Sequence, residues 1–189
     1  MGARMFTAVL PPAGVIRQLD TLLEPRRDAE PSLRWTRPEG WHITTSFMGE
    51  VPEENLGRLE ENLAELAART RPFDVELVGG IAFPDPARSR VLGLAAATPD
   101  DRLASLSASC RAAASRAGVA ADGARFVGHL TLARHNRGLL AVRWLEVFDS
   151  FPSWRWVADE LCLVESHPGA RYVVAERFPL GGKPTGPLD

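Results

Sequence analysis

The four-residue pattern His-x-Thr-x occurs twice in this chain, at residues 42–45 and at residues 129–132, 87 residues apart. The chain has four histidines, so half of them stand in this setting. Both copies lie among apolar and β-branched residues, which is typical of strands. Side chains alternate between the two faces of a strand, so each His and the Thr two residues later point the same way. The sequence therefore predicts two strands that each present an imidazole and a hydroxyl on one face.

The same alternation assigns neighbouring side chains to these faces. In the first strand, Ser46 shares the face of His42, whereas Phe47 lies on the opposite, apolar face. In the second strand, Arg134 lies on the face opposite His129 and reaches the same face only if the strand bends or bulges. Ser46 and Arg134 are therefore secondary candidates beside the two motifs.

The charge of the chain limits the kind of nucleic-acid contact that it can make. Its 189 residues are 45% hydrophobic and 24% charged, the balance of an ordinary globular protein, and the formal net charge is −2. Proteins that follow long nucleic acids along their phosphates are usually strongly basic. If this protein binds RNA, we expect a local contact, such as one terminal nucleotide.

The cysteines and the hydropathy pattern indicate a cytoplasmic protein. Cys110 and Cys162 are far apart and neither has a Cys-x-x-Cys partner, so we expect two reduced cysteines rather than a disulfide or a zinc site. No apolar run approaches the roughly 18 residues that a membrane span needs. The apolar N-terminal segment meets Pro11-Pro12 too early for a signal peptide. We therefore expect a cytoplasmic location and no membrane contact.

The order of the predicted elements suggests two similar lobes. Apolar spacing predicts strand, helix, motif strand, helix, strand, strand, helix, motif strand, helix, strand and strand. We expect one α+β domain, residues 1–180, in which each lobe is an antiparallel sheet with helices packed outside and a central cleft carries both motifs. The Gly- and Pro-rich residues 181–189 are expected to form a disordered tail.

Proline and glycine predict several element boundaries. We expect the first helix to end at Pro25, because proline lacks the N–H that continues a helix. Gly79-Gly80 is expected to form a turn. Residues 154–164 are expected to form a single strand.

Two histidines on opposite sides of a phosphorus atom can share acid–base catalysis. The ordinary pKa of histidine is ~6.5, so a neutral imidazole can take a proton from water while a protonated one gives a proton to the departing oxygen. The Thr hydroxyl of each motif can donate a hydrogen bond to a phosphate oxygen. A single histidine on a strand is more often structural, but two copies with the same polarity favour a site. His135 and His167 lack the pattern and are interpreted as surface or turn residues.

The motifs do not resemble a metal site. Zinc is usually held by three or four His, Cys or acidic ligands, and neither motif has a third such residue nearby. We therefore expect no metal and no cofactor.

With these motifs the chain resembles the 2H phosphoesterase superfamily. Within it, the chain is most similar to the bacterial and archaeal RNA 2′,3′-cyclic phosphodiesterases, historically called 2′-5′ RNA ligases (the LigT or ThpR family). The similarity runs in order along nearly the whole chain, through residues 5–9, 41–44, 47–52, 80–84, 90–94, 126–134 and 172–180. One departure is Thr45, which is polar where the family usually has a hydrophobic residue.

The resemblance implies a bilobal LigT-like fold and opening of a 2′,3′-cyclic phosphate at an RNA 3′ end to leave a 2′-phosphate. It implies that His42 is the proton donor and His129 the proton acceptor. It implies that Thr44 and Thr131 bind the phosphate, and Arg134 matches a family position often linked to the site. Ser46, which stands where relatives often have a basic or another polar residue, is a further substrate-binding candidate from its predicted face. No protein partner is implied.

Other functions remain open from the sequence. The same site can act on another cyclic nucleotide, or it can bind a nucleotide or RNA end without turnover. We expect the reverse reaction, 2′-5′ ligation, to be secondary, because water is in great excess. Turnover of a panel of cyclic phosphates separates the two phosphodiesterase alternatives, and binding without turnover favours the binding module.

Overall fold

The computed structural model describes residues 2–181, which form an α+β fold. Of the expected tail, only Gly181 lies within the described residues. The strands are β1 Gly2–Val9, β2 Arg34–Trp35, β3 Ile43–Pro52, β4 Phe73–Phe83, β5 Ser89–Ala97, β6 His129–Leu139, β7 Trp154–Ala158, β8 Glu160–His167 and β9 Arg171–Pro179. The helices are α1 Ala13–Ala29, α2 Glu53–Arg69, α3 Arg102–Arg116 and α4 Val142–Asp149, with short 3-10 turns at Pro38–Gly40 and Pro99–Asp101.

The described strands form one antiparallel sheet in the order β7-β4-β5-β6-β3-β1-β8-β9, and β2 pairs with β6. Counted outward from its centre, one half runs β3-β1-β8-β9 and the other runs β6-β5-β4-β7. Each half begins with a motif strand and contains four strands. The α+β class and the two antiparallel lobes predicted from the sequence are therefore confirmed.

The two lobes meet at the motifs themselves. The pairing of β3 with β6 consists of the pair Ile43 and Leu130, and each of these is the residue between the His and the Thr of its motif. Both side chains are fully buried in the main core. Because neighbouring side chains on a strand point to opposite faces, the His and Thr residues of both motifs face the other side of the sheet. The lobes are thus halves of one continuous sheet.

Helices cover the core face of this sheet. The stripe Leu59, Leu63 and Ala67 of α2 is buried, as are Leu19 and Leu23 of α1. These side chains belong to the same core cluster as Ile43 and Leu130. A smaller apolar cluster lies on the opposite face of the first lobe, next to the motifs; its buried members are Phe6, Ala8, Cys162 and Val164. The motif side chains therefore stand on the face that the helices leave open.

Three predicted boundaries are wrong, each for a local reason. Helix α1 continues through Pro25 to Ala29, because the exposed Pro25 removes only the one N–H that would donate to the carbonyl of Thr21. Gly79 and Gly80 stay within β4, because Gly79 adopts a positive φ at an irregularity in the pairing with β5. Residues 154–164 divide at Asp159 into β7 and β8, which belong to different lobes.

No helix among residues 2–181 is long and apolar enough to cross a membrane.

Candidate active site

Both motifs open into one small pocket of about 70 Å³ on the open face of the sheet. The pocket is lined by Thr36, Gly40, His42, Thr44, His129, Thr131, Arg134 and Tyr172. Five of the six residues singled out from the sequence are therefore brought together, and Ser46 is not among them. The volume suits a small group such as a phosphate.

A β-bulge follows the Thr of the second motif and places Arg134 in the pocket. Thr131 pairs with Gly93 of β5, whereas Ala133 pairs with Leu92, so Leu132 is an extra residue on β6. Leu132 and Ala133 are both buried, and the alternation of faces shifts by one residue. Arg134 consequently shares the face of His129. The sequence predicted this position only if the strand bends or bulges.

The first motif has a bulge at the same position. Thr44 pairs with Ala8 of β1, whereas Ser46 pairs with Thr7, so Thr45 is the extra residue on β3. Both bulges thus occupy the fourth position of His-x-Thr-x. The side chain that corresponds to Arg134 is Phe47, which is only partly buried.

The bulge also explains why Ser46 lies outside the pocket. Ser46 is 3% exposed, and its hydroxyl has no hydrogen-bond partner among the described residues. Strict alternation predicted that Ser46 faces the cleft and Phe47 the core, and both assignments are wrong because Thr45 shifts the register by one residue.

The polar residue at the bulge, Thr45, has partners in the core. Its hydroxyl lies 2.7 Å from the hydroxyl of Thr7 and 3.7 Å from the thiol of Cys110, and both neighbours are buried. A buried hydroxyl without a partner costs about 1–3 kcal/mol, so these contacts offset most of its desolvation. The departure from a hydrophobic residue at this position is therefore accommodated by the core.

Both catalytic candidates are held in the same way by the backbone. His42 Nδ1 lies 2.7 Å from the carbonyl of Gly40, and His129 Nδ1 lies 2.8 Å from the carbonyl of Val127. In each case the carbonyl belongs to the residue two positions earlier. A carbonyl can only accept, so Nδ1 donates and carries the proton in the neutral ring. Each neutral imidazole therefore keeps an unprotonated Nε2 for other chemistry.

An aromatic ring packs against each imidazole. The ring of Phe6 stacks on His42 with centroids 4.5 Å apart, and the ring of Phe83 lies 4.6 Å from that of His129. Tyr172 meets the ring of His42 edge-on at 5.1 Å. These contacts fix the ring planes and exclude water from one side of each histidine.

Burial lowers the pKa of both histidines. The pKa of His42 falls from 6.5 to about 4, chiefly because desolvation disfavours the charged ring, while the carbonyl of Gly40 partly opposes this and the charges of His129 and Arg134 add to it. The pKa of His129 is also lowered, again mainly by burial and further by Arg134. Both rings are therefore neutral near pH 7 in the free protein, and Arg134 leaves the pocket positive. The site is thus prepared to receive an anion.

Sequence reasoning missed Thr36 and Tyr172. Thr36 lines the pocket because its backbone N–H donates a hydrogen bond to the carbonyl of Leu132, 2.8 Å away, next to the bulge. Tyr172, the only tyrosine in the chain, comes from β9 at the edge of the first lobe. No motif surrounds either residue, and only the pairing of distant strands brings them to the histidines.

Among residues 2–181, no three His, Cys, Asp or Glu side chains are grouped as metal ligands. The expectation of a metal-free site stays a prediction.

Comparison with known proteins identifies the family. The model of the 2′-5′ RNA ligase superfamily matches residues 15–170, more than four fifths of the chain. The chain belongs to the 2′-5′ RNA ligase superfamily. Its motif strands and its pocket all lie within the matched range except for Tyr172.

Two proteins similar to this 2′-5′ RNA ligase superfamily member have the same name. A protein of Aquifex aeolicus named RNA 2′,3′-cyclic phosphodiesterase is 27% identical over 159 residues, which is 79% of this chain and 82% of that protein. A Geobacillus stearothermophilus protein of the same name is 29% identical over 84% of this chain, but the match spans about half (52%) of that longer protein.

Solved structures of similar proteins share the fold. The protein TT0787 of Thermus thermophilus is 27% identical with a TM-score of 0.74, and the match covers 95% of this chain and 99% of that chain. E. coli LigT in its apo form is 24% identical with a TM-score of 0.76, covering 96% and 99% of the two chains. A LigT-like bilobal fold is thereby confirmed.

Proposed function

We propose that this protein is an RNA 2′,3′-cyclic phosphodiesterase that needs no metal. It hydrolyses the cyclic phosphate at an RNA 3′ end, or on a nucleotide, and leaves a 2′-phosphate. The observation that carries the proposal is the phosphate-sized pocket lined by two histidines, two motif threonines and Arg134. The activity named for the relatives from Aquifex aeolicus and Geobacillus stearothermophilus supports it.

In the proposed reaction the two imidazoles divide the proton transfers. Nε2 of His129 takes a proton from water as the water oxygen attacks phosphorus, and the P–O3′ bond breaks on the opposite side. Nε2 of His42, protonated in the substrate complex, gives its proton to the leaving O3′. The phosphate stays on O2′. Return of one proton from His129 and gain of one by His42 restores the starting state.

The remaining side chains of the pocket bind the phosphate. The hydroxyls of Thr44 and Thr131 donate hydrogen bonds to its non-bridging oxygens, and the guanidinium of Arg134 balances their charge, which rises in the transition state. Arg134 suits this role because its planar fork can hold two oxygens at once.

The proposed partner is the 3′ end of an RNA or a single nucleotide, not a long RNA surface. The net charge of −2 fits a contact limited to one end. A cytoplasmic location fits the two free and buried thiols, Cys110 and Cys162.

The proposal is tested in EDTA with adenosine and cytidine 2′,3′-cyclic phosphates, with 3′,5′-cyclic nucleotides and with a short RNA ending in a 2′,3′-cyclic phosphate. We expect the 2′,3′-cyclic substrates to be opened to 2′-phosphates, which chromatography resolves from 3′-phosphates. Turnover that EDTA abolishes, or a 3′-phosphate product, contradicts the mechanism. Turnover of 3′,5′-cyclic nucleotides alone points to a different phosphodiesterase, and binding without turnover points to a binding module.

A further inference from the structure

Two arginines face each other beside the catalytic pocket. In the pairing of β2 with β6, Arg34 lies directly opposite Arg134, and Trp35 lies opposite Ala133. Residues directly opposite each other in an antiparallel pair have their side chains on the same face of the sheet. Because Arg134 lines the pocket, Arg34 also stands on the face that carries both histidines. Trp35 packs against the core on the other face, as the alternation of side chains requires.

Arg34 lies just outside the pocket, on the same face as Thr36. Thr36 lines the pocket and its N–H donates to β6, so β2 leads outward from the site in a fixed register. Two residues of a strand span ~6.6 Å, which is the backbone separation of Arg34 and Thr36. Arg34 is exposed and lines neither this pocket nor the larger cavity of about 380 Å³ beside His42. Its charge therefore faces a group of the substrate next to the reacting phosphate.

Neither arginine has a counter-charge within the part of the chain that the structure describes. The cross-strand neighbours of Arg134 are Val91 on one side and Arg34 on the other. No ion pair of the described residues includes either guanidinium. The acidic residue nearest to Arg34 in the sequence is Glu30, whose carboxylate accepts a hydrogen bond from Ser32 over 2.5 Å. Since like charges directly opposite each other destabilise a sheet, this pair fits a site for an anion better than a structural role.

A phosphodiester linkage is the anion that suits the position of Arg34. Arg134 already has the cyclic phosphate as its proposed partner in the pocket. An RNA chain continues on the 5′ side of its terminal nucleotide through a phosphodiester with one negative charge, and a free nucleoside 2′,3′-cyclic phosphate has no such group. A guanidinium binds the oxygens of such a linkage through paired N–H donors.

We propose that Arg34 binds the phosphodiester on the 5′ side of the terminal nucleotide, so that the site prefers RNA ends to free nucleotides. The inference rests on the proposed function and specifies its substrate class. Arg34 contacts the linkage and not the reacting phosphorus. One such contact agrees with a chain whose net charge is −2, because it adds a single local attraction and no extended basic surface.

The test compares three substrates that differ in this linkage. They are adenosine 2′,3′-cyclic phosphate, a diadenosine dinucleotide that ends in a 2′,3′-cyclic phosphate, and the same dinucleotide with an uncharged methylphosphonate linkage. Arg34→Gln removes the charge, and Arg34→Lys keeps it. The matched control is Arg58→Gln, which removes the same charge from an exposed position of α2, on the helical side of the sheet.

We expect Arg34→Gln to lower kcat/KM on the charged dinucleotide by about tenfold. The loss should stay below about twofold on the mononucleotide and on the methylphosphonate, since neither offers a charged linkage. Arg34→Lys should keep most of the preference of the parent, and Arg58→Gln should match the parent on all three substrates. The slope of log kcat/KM against log salt on the charged dinucleotide should be shallower by about 0.7 in Arg34→Gln, because one phosphate contact is lost.

Equal losses of Arg34→Gln on the dinucleotide and on the mononucleotide would place Arg34 at the reaction centre and overturn the proposal. Equal losses on the charged and uncharged dinucleotides, or no loss, would overturn it as well. Thermal unfolding verifies that the variant is folded, and Arg34→Ala repeats the comparison if it is not.

Failure of the proposed function is distinguishable from failure of this subsite. If the parent opens none of the three substrates, the proposed function fails. The subsite is then judged by calorimetric binding of the dinucleotide with a terminal 2′-phosphate. Weaker binding by Arg34→Gln than by both the parent and Arg58→Gln supports the contact, whereas equal binding by all three proteins, or binding by none, overturns it.

Discussion

At the scale of single residues, the site combines two neutral imidazoles with a permanent cation. Burial lowers the pKa of His42 to about 4 and also lowers that of His129, and the guanidinium of Arg134 acts in the same direction. A proton donor with this pKa is rarely protonated near pH 7. A bound phosphate anion reverses the balance, because its charge offsets Arg134 and stabilises the protonated ring of His42. In the proposed mechanism the bound substrate therefore raises the protonated fraction of His42.

This ionisation predicts the pH dependence of turnover. In the proposed mechanism the productive free protein has His42 protonated and His129 neutral. The pKa values of both rings lie below the ordinary 6.5. Above pH 6.5 the protonated fraction falls tenfold with each pH unit, so log kcat/KM should fall with a slope of about −1. The corresponding fall in kcat should lie at higher pH, because the bound phosphate raises the pKa of His42. A kcat/KM that stays level from pH 6.5 to 8.5 contradicts this ionisation scheme.

At the scale of elements, the two bulged strands decide which side chains enter the pocket. Period-two alternation correctly predicted that His and Thr share a face in both motifs. It failed one residue later, since nothing in the local sequence marks Thr45 or Leu132 as the extra residue of a bulge. The bulge depends on the register of the neighbouring strand, which a single segment does not reveal. Ser46 was therefore assigned to the wrong face. Arg134 was predicted to reach the pocket only if the strand bulges, and the bulge at Leu132 brings it there.

The close approach of β5 to β6 is also an element-scale feature. Gly93 of β5 lies against the backbone carbonyl of Leu130, and a Cβ at residue 93 would collide with that oxygen. Gly93→Ala should therefore displace β6 and cost about 1–3 kcal/mol of unfolding free energy. Because β6 carries His129, kcat/KM should fall by roughly a hundredfold if the ring moves by about 1 Å.

Urea unfolding and turnover measure both effects of Gly93→Ala. The matched control is Gly49→Ala in β3, where no heavy atom beyond the two chain neighbours lies within 4 Å of the added Cβ. We expect the control to keep full activity and to change stability by less than about 1 kcal/mol. Equal behaviour of the two variants would show that the contact with Leu130 does not constrain β6.

At the scale of the whole molecule, the chain builds one site from two lobes by joining them at the motifs. The sequence predicted two antiparallel lobes and a cleft, because local apolar spacing reveals the order of helices and strands along the chain. It did not predict that Ile43 and Leu130 pair, which makes one sheet of the two lobes. That pair places one histidine of each lobe at the junction. Nor did it predict the cavity beside His42. The walls of this cavity include residues of β1, β8 and β9 and Asp159, the residue between β7 and β8.

The central claim is that one histidine from each lobe transfers a proton. The most direct measurement is the turnover of cytidine 2′,3′-cyclic phosphate by His42→Ala and by His129→Ala, with His135→Ala and His167→Ala as controls and thermal unfolding to verify folding. We predict that each motif variant loses roughly 10²–10⁴-fold in kcat while the controls stay within about twofold of the parent. A folded His42→Ala or His129→Ala variant that keeps more than about a tenth of the parent activity would contradict the two-histidine account.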